Sequence, residues 1–347
     1  MRPTRPFRRE IAQANLNFQE AFAGIPPMML YASVRTRRRG AGTYGYLVDR
    51  RRRTEIQYLG PEKNKDVLQW IERTRLGGEL LHLQRSNARK VRAAMGIELG
   101  TEAQNVLIDM ALAGAFEGPI PIVLVGTHAM AAYELLLGQK IPETVLQSQD
   151  LDFASDEVMS AAVLRGVHHV DLPALFGKNG FTWIPSRSPV EDGHSYDKWA
   201  SPTYKIEILA HRRGNSARPV KLPQFGISAA EPLPWLDYVC TKPVRVVMPL
   251  RTPVEIAVPE PARFALHKLA ISYARRSPLK AKKDRVQAEI VLLALVANDL
   301  QDRIEEAYRE APRGKFRVNL NAALHKLPAS TRTKLRLDEW LPTSAKP

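Results

Sequence analysis

Two short stretches hold residues whose types and spacing suit chemistry on a phosphate. The first is SQDLDFA at 148–154. On a strand, residues two apart share a face, so Asp150 and Asp152 point the same way, roughly 6–7 Å apart along the backbone, while Leu151 and Phe153 turn to the core. Carboxylates this close repel by up to ~4 kcal/mol at an effective dielectric near 20. A structural strand gains nothing from that, whereas a site for one or two divalent cations does. Hard cations such as Mg²⁺ or Mn²⁺ take few carboxylates, several waters and the substrate phosphates. Alone, the triplet also fits a solvated surface.

The second stretch is IVLVGTHAMAAYELLLG at 122–138. An apolar strand runs into Gly126-Thr127 and a helix follows at once. The start of a helix exposes unpaired N–H groups and a partial positive charge. Glycine lets a phosphate approach the backbone and Thr127 adds a hydroxyl donor, so the turn can cradle an anion. A third acid comes from the alternating run Tyr204–Leu209, in which Ile206 and Ile208 take one face and Glu207 the other. A strand placed beside the aspartates would bring Glu207 to them; otherwise it is an exposed acid paired with Lys205.

The elements that must position these residues alternate. Helical spacing over 103–116, a buried strand at 120–125, a helix at 127–137, a strand at 150–154, a helix at 157–169 and strands at 181–184 and 204–209 indicate an α+β core. It occupies 101–235. Before it, strands at 29–36, 43–48 and 54–59 form a meander within a basic segment, 1–60, behind a helix near Ile11–Phe22. A helical connector, 61–100, carries Gly77-Gly78 as a candidate kink. After it, 236–347 begins with short β runs at 244–248 and 254–258 and continues as helices over 262–275, 282–298 and 300–310.

The chain has 347 residues, a net charge of +15 and a single cysteine, Cys240. One cysteine rules out an intrachain disulfide and fits a reducing cytoplasm. The longest apolar run, Ile290 to Ala297, is too short for a membrane span. Residues 1–60 hold twelve arginines, no lysine and four acids. Such a balance favours a polyanion. Arg37, Arg38, Arg39, Arg50, Arg51, Arg52 and Arg53 are expected at the two turns of the meander, with Tyr31, Tyr44, Tyr46 and Tyr58 on its strands. Arginine and exposed aromatic rings suit phosphate contact and base stacking; solvated turns that block edge pairing are the plainer alternative. The histidines show no metal-binding spacing, and His128 is expected at a helix start near the carboxylates.

Strand–Gly-Thr–helix, then an Asp-x-Asp strand, then a strand with one acid, resembles the minimal nucleotidyltransferases of toxin–antitoxin and phage-defence systems, within the polymerase-β-like superfamily. Val125-Gly126-Thr127 and Asp150-Leu151-Asp152 match that family's two motifs, and Ser148 suits its small hydroxyl residue. The resemblance covers roughly residues 102–300. It implies a mixed sheet flanked by helices, with Asp150 and Asp152 as metal ligands and Glu207 as a further ligand or the base. It also implies a nucleoside triphosphate held by Gly126, Thr127, Lys268 and Arg275, with Asp284 facing the site from a Lys-Asp step. Gln147 and Gln149 stand where the family often has an arginine. The expected reaction is transfer of a nucleoside monophosphate to RNA, tRNA first, in a protein that acts as a toxin with a cognate antitoxin. An inactive fold that only binds nucleic acid, and a protein-nucleotidylating or phosphotransferase enzyme, share every residue above.

Overall fold

The structure is a computed structural model that describes residues 4–50, 52–96, 99–118, 120–142, 148–155, 169–187, 195–212, 214 and 218–341. The chain divides into two compact units, one made of Arg8–Ala94 with Val247–Glu255, the other of Met1–Phe7, Met95–Val246 and Ile256–Pro347. The expected basic segment and connector fall mainly in the first unit, and the expected core and C-terminal helices mainly in the second. Arg51 and the helix expected at 157–169, up to residue 168, lie outside the described residues.

After a two-residue strand of the larger unit, β1 (Arg5–Pro6), the smaller unit opens with α1 (Arg9–Phe22) and α2 (Pro27–Tyr31). Met29 to Tyr31, expected as strand, are helical because Pro27 occupies the first turn, where its missing N–H costs nothing. The meander follows as β2 (Ala32–Arg39), β3 (Gly42–Asp49) and β4 (Glu55–Pro61), all antiparallel. Arg39 pairs directly with Gly42, and Gly40 is left-handed at φ 60°. The hairpin therefore turns on Gly40-Ala41 alone. This corrects the placement of Arg37, Arg38 and Arg39 in a turn: they lie on β2 itself.

The inner face of this sheet packs on α3 (Lys65–Leu83), whose Asn64 cap accepts from Asp66 N–H at 3.0 Å. Leu47 and Val67 are fully buried, and a Cβ on Gly45 would strike Val67. The glycine pair does not kink α3, which continues through it. Instead, a Cβ on Gly77 would collide with the Met29 carbonyl, so the residue serves close helix packing. α3 ends at Leu83 with Gln84 as its cap, and α4 (Arg85–Ala94) completes the segment.

The larger unit begins with α5 (Thr101–Leu112), β5 (Val123–Val125), α6 (Ala129–Leu137), β6 (Gln139–Lys140) and β7 (Asp150–Ser155). It continues with α7 (Leu172–Lys178), β8 (Thr182–Arg187), β9 (Ser195–Ala200), β10 (Lys205–His211), β11 (Val220–Leu222) and β12 (Ile227–Leu233). Its sheet is mixed, ordered β11-β12-β10-β7-β5, with β9 on the same edge of β10 and β8 beyond it. β7 and β12 run parallel to β10, whereas β5 is antiparallel to β7 and β9 to β10. β1 pairs with β6. A short α8 (Leu236–Cys240) leads to the hairpin β13 (Pro243–Met248) and β14 (Val254–Pro259).

Two long helices close the unit around the sheet. α9 (Pro261–Ala274) and α10 (Pro278–Val296) each start with proline in the first turn behind a capping side chain, Glu260 and Ser277. α9 buries Phe264, Leu266 and Leu269, and α6 is buried along almost its whole length. The α+β mixed sheet with flanking helices is the expected fold. No helix among the described residues is long and apolar enough to cross a membrane.

Inside α6, Glu134 is fully buried and accepts from Gly96 N–H at 2.8 Å and Ile141 N–H at 2.7 Å, fixing the chain on both sides of the helix. Glu134→Ala strands two buried donors and should cost about 2–4 kcal/mol, read by chemical denaturation of the larger unit. Gly77→Ala should destabilise the smaller unit by about 1–3 kcal/mol. Gly78→Ala, whose Cβ would meet only the end of the Arg50 side chain at 3.0 Å and no backbone, should cost less. Equal losses in the two glycine variants, measured by hydrogen exchange in α3, would contradict the close-packing role of Gly77.

Candidate active site

β7 carries the site. Leu151 and Phe153 are fully buried on the core side of the strand, which holds it in place, and Asp150 and Asp152 project from the other side. In the parallel pairing with β10, Glu207 lies directly across from Asp152; in the antiparallel pairing with β5, Val125 does. The carboxyl of Asp152 therefore lies beside the residue after Val125. That residue is Gly126, left-handed at φ 69°, and a Cβ there would overlap Asp152 Oδ2. Both its φ and its neighbour require glycine.

Thr127 and His128 lead from this turn into α6. Thr127 is buried and its Oγ1 accepts from Gln287 Nε2 of α10 at 3.2 Å, leaving its own hydrogen to donate. His128 Nδ1 donates to the Asp150 carbonyl at 2.9 Å, and its ring packs near Tyr204. Burial pushes this imidazole down to about 4, so it is neutral and acts as a spacer between turn and strand. The Asp150 N–H donates to Ser148 Oγ at 3.2 Å, so Ser148 orders the start of β7.

The charges around the turn are mixed. Asp150 is exposed and Asp152 partly enclosed. Burial, then repulsion from Glu207 and Asp150, push the Asp152 carboxyl up to about 7, against the pull of Lys268 and Lys198. Glu207 Oε1 accepts from Lys198 Nζ at 2.8 Å, and Lys198 also reaches Glu231 at 3.4 Å. Glu207 thus stands beside Asp152 as expected, but Lys198 of β9 takes one of its oxygens. Among the described residues, no three acidic, histidine or cysteine side chains enclose a metal position by themselves.

Lys268, Arg275 and Asp284 come together, though differently from the expectation. Asp284 is buried between α9 and α10, where it accepts from Lys268 Nζ at 2.6 Å and from Arg275 Nε at 2.9 Å. Burial works to raise its carboxyl, yet the two cations outweigh this and hold it below the ordinary range. Asp284 is therefore an internal counter-ion. Ser272, on the same stripe, is buried and donates to the Leu269 carbonyl.

Three residues outside the sequence expectation take part. Lys198 needed the β9–β10 pairing, which no local pattern announces. Gln287 lies one helical turn beyond Asp284 and ties α10 to Thr127. Lys283, read in the sequence as part of a Lys-Asp step, is pushed down by burial and by Lys268 while Asp284, Asp150 and Asp152 pull it up. It thus stands in the field of the carboxylates.

In the smaller unit, Arg37 pairs with exposed Glu55 at 3.2 Å, and the Arg37 and Arg39 guanidinium groups lie over the Tyr46 ring at 5.4 and 5.5 Å. Arg38 is exposed on the opposite side of β2. Arg50 is turned inward, donating to the Ala32 carbonyl at 2.6 Å and to the Thr74 carbonyl. The Arg52 N–H donates to Asp49, and Arg53 is left-handed at φ 56°. Arg50 and Arg52 are thus held by these contacts.

A comparison with curated proteins gives no match. A solved structure similar to this chain is that of an antigenic nucleotidyltransferase-like protein from Paracoccidioides brasiliensis, with 14% identity, 62% of this chain and 84% of that chain covered, and a TM-score of 0.30. The family profile described as nucleotidyltransferase matches residues 101–313, more than half the chain. The Gly126 turn, both aspartates, Glu207 and the Lys268–Asp284 pair all fall within that match, and the chain belongs to the nucleotidyltransferase family.

Proposed function

We propose that the protein moves a nucleoside monophosphate from a nucleoside triphosphate to RNA, tRNA ahead of other RNA, with Mg²⁺ or Mn²⁺ at Asp150 and Asp152. The observation that carries this reading is the contact of Asp152 with the Gly126 backbone at the start of α6. It sets a carboxylate pair against a turn suited to phosphate. The donor set fits a hard divalent cation: two carboxylates on one strand face, with mutual repulsion that added positive charge relieves. A divalent cation held by Asp150 and Asp152 would supply positive charge to the phosphates and lower the pKa of an attacking hydroxyl.

The chain's own residues do the rest. Thr127 donates its hydroxyl hydrogen, and the first N–H groups of α6 add a positive field. Lys283 and Lys268 neutralise charge gathering on the leaving pyrophosphate, while Asp284 holds Lys268 and Arg275 in place. Glu207 offers its second oxygen, as a further ligand or as the acceptor of the hydroxyl proton.

The acceptor class rests on the smaller unit. Arg35, Arg37, Arg39, Tyr44, Tyr46 and Tyr58 share the outer face of its sheet, since Arg35 pairs with Tyr46, Arg37 with Tyr44 and Tyr46 with Tyr58. Tyr58 is half exposed and its ring lies 5.4 Å from Tyr46 and 6.2 Å from Tyr44. A sheet face that offers the half-exposed Tyr58 ring beside guanidinium groups suits single-stranded RNA. The choice of tRNA, and a toxic action in the cytoplasm restrained by an antitoxin, follow from the resemblance alone.

The test is incubation with Mg²⁺ and nucleoside triphosphates labelled at the α or γ phosphate, offering tRNA and lysate protein. Label from the α position on RNA is expected, and Asp152→Ala should lower it by about 100-fold or more. Label on protein, or from the γ position alone, would move the reading to a protein-modifying or phosphotransferase enzyme. No label with either wild type or variant would leave a nucleic-acid-binding protein on an inactive fold. Tyr58→Ala should weaken RNA binding about 5- to 100-fold, the stacking of one base, and leave the melting temperature unchanged.

A further inference from the structure

The smaller unit contains a cleft of about 370 Å³ that the reading above does not use. Five arginines line it: Arg50, Arg85, Arg89, Arg92 and Arg251. Its floor includes buried Leu30, Tyr31 and Leu250. No acidic side chain is among the described residues that line it. Like charges gathered around one cleft repel one another, and an anion entering it would relieve that repulsion.

Two of the arginines are fixed in advance. Arg92 Nε donates to the Pro249 carbonyl at 2.7 Å and its Nη2 to the Leu250 carbonyl at 2.6 Å. Arg50 is held by the Ala32 and Thr74 carbonyls. Burial pushes both guanidinium groups down from their ordinary value, so both are partly desolvated. A guanidinium has five N–H donors, so each keeps others for a ligand. Fixed, partly desolvated arginine is suited to phosphate, because little freedom is lost on binding.

The other charges give the cleft its direction. Arg85, Arg89 and Arg92 lie at i, i+4 and i+7 on α4, one face of that helix. At 1.5 Å per residue they extend over about 10 Å, longer than a single phosphate group. Arg85 and Arg89 are exposed and make no ion pair with the described residues. The two aromatic rings of the lining, Phe22 and Tyr31, are closed off, since both are buried and the Tyr31 hydroxyl donates to the Pro253 carbonyl at 2.7 Å. Charge spread along a line, without a ring for a base to stack on, is the chemistry of backbone contact.

We infer that this cleft binds successive phosphates of an RNA strand through Arg85, Arg89 and Arg92, independently of base sequence. The inference shares with the proposed function the premise that RNA is the ligand, but uses residues that the sheet face does not and requires no transfer chemistry.

The test is fluorescence anisotropy of the full chain in EDTA, without nucleoside triphosphate, against short single-stranded RNAs of two unrelated sequences. Arg85→Ala with Arg89→Ala should weaken both RNAs alike, by about 10-fold or more at moderate salt, and make the salt dependence shallower by about one to two counterions. Arg85→Lys with Arg89→Lys should keep most of the affinity. Unchanged affinity in the alanine pair, with loss in Tyr58→Ala, would overturn the cleft and leave the acceptor reading standing. Absence of RNA binding by wild type would overturn both. Displacement of RNA by inorganic tripolyphosphate as efficiently as by unlabelled RNA would overturn the strand in favour of a compact polyphosphate.

Discussion

Negative charge confined beside a backbone turn is the constraint around which the larger unit is arranged. Asp152 lies against Gly126 with Glu207 across the strand pair and Asp150 two residues back, and each opposes ionisation of the others. Isolated, a strand with this face would turn it to water. It is held because its reverse face is core: Leu151 and Phe153 are fully buried, as is Ile206 on β10. At about 25 cal/mol per Å² of apolar surface removed from water, burying such side chains offsets the repulsion. The left-handed glycine supplies the remaining condition, since any side chain at 126 would displace the carboxyl.

The cations answer that charge from three elements with different attachments. Lys198 arrives on β9 and is shared between Glu207 and Glu231. Lys268 arrives on α9 but is bound to Asp284, as is Arg275. Asp284 therefore does two things. It joins α9 to α10 through a buried ionic contact, and it sets the rotation of α10, so that Gln287, one turn on, meets Thr127. Breaking such a buried cluster at one member leaves uncompensated charge. The helix that carries Lys283 is thus oriented from both sides of the turn, by an ion cluster and by an amide.

The period of two made the strands of the candidate site readable. Asp150 and Asp152 against Leu151 and Phe153, and Glu207 against Ile206 and Ile208, separate by alternation alone, and the structure keeps that separation. The start of α9 was readable from Pro261, whereas the helix expected from residue 282 begins four residues earlier, at Pro278. The sequence pattern did not reveal what depends on pairing between distant strands or on helix rotation. β9 is short and polar, with Asp197 buried under Trp183 and Ser228, so its alternation carries no strand signal. The resemblance placed Asp284 facing the site; which of two adjacent helix residues turns inward is decided by Lys268 and Arg275, which both bond Asp284. Gly77 read as a kink because the Met29 carbonyl it accommodates is far away in sequence.

The basic segment shows how a small local difference redirects chemistry. A longer turn after β2 would have placed Arg37 and Arg39 in a solvated loop. The two-residue turn at Gly40-Ala41 extends the strands instead, so alternate arginines fall on the tyrosine face and their guanidinium groups stack over Tyr46. Arg39 is held over the ring without an acidic partner among the described residues, whereas Arg37 also meets the exposed Glu55. Near the carboxylates of the larger unit, by contrast, Lys198 and Lys268 have acidic partners. Positive charge is therefore balanced where transfer chemistry is proposed and largely unbalanced on the sheet face and in the arginine cleft. That is the distribution expected if one unit holds a small phosphate substrate locally and the other attracts a long polyanion.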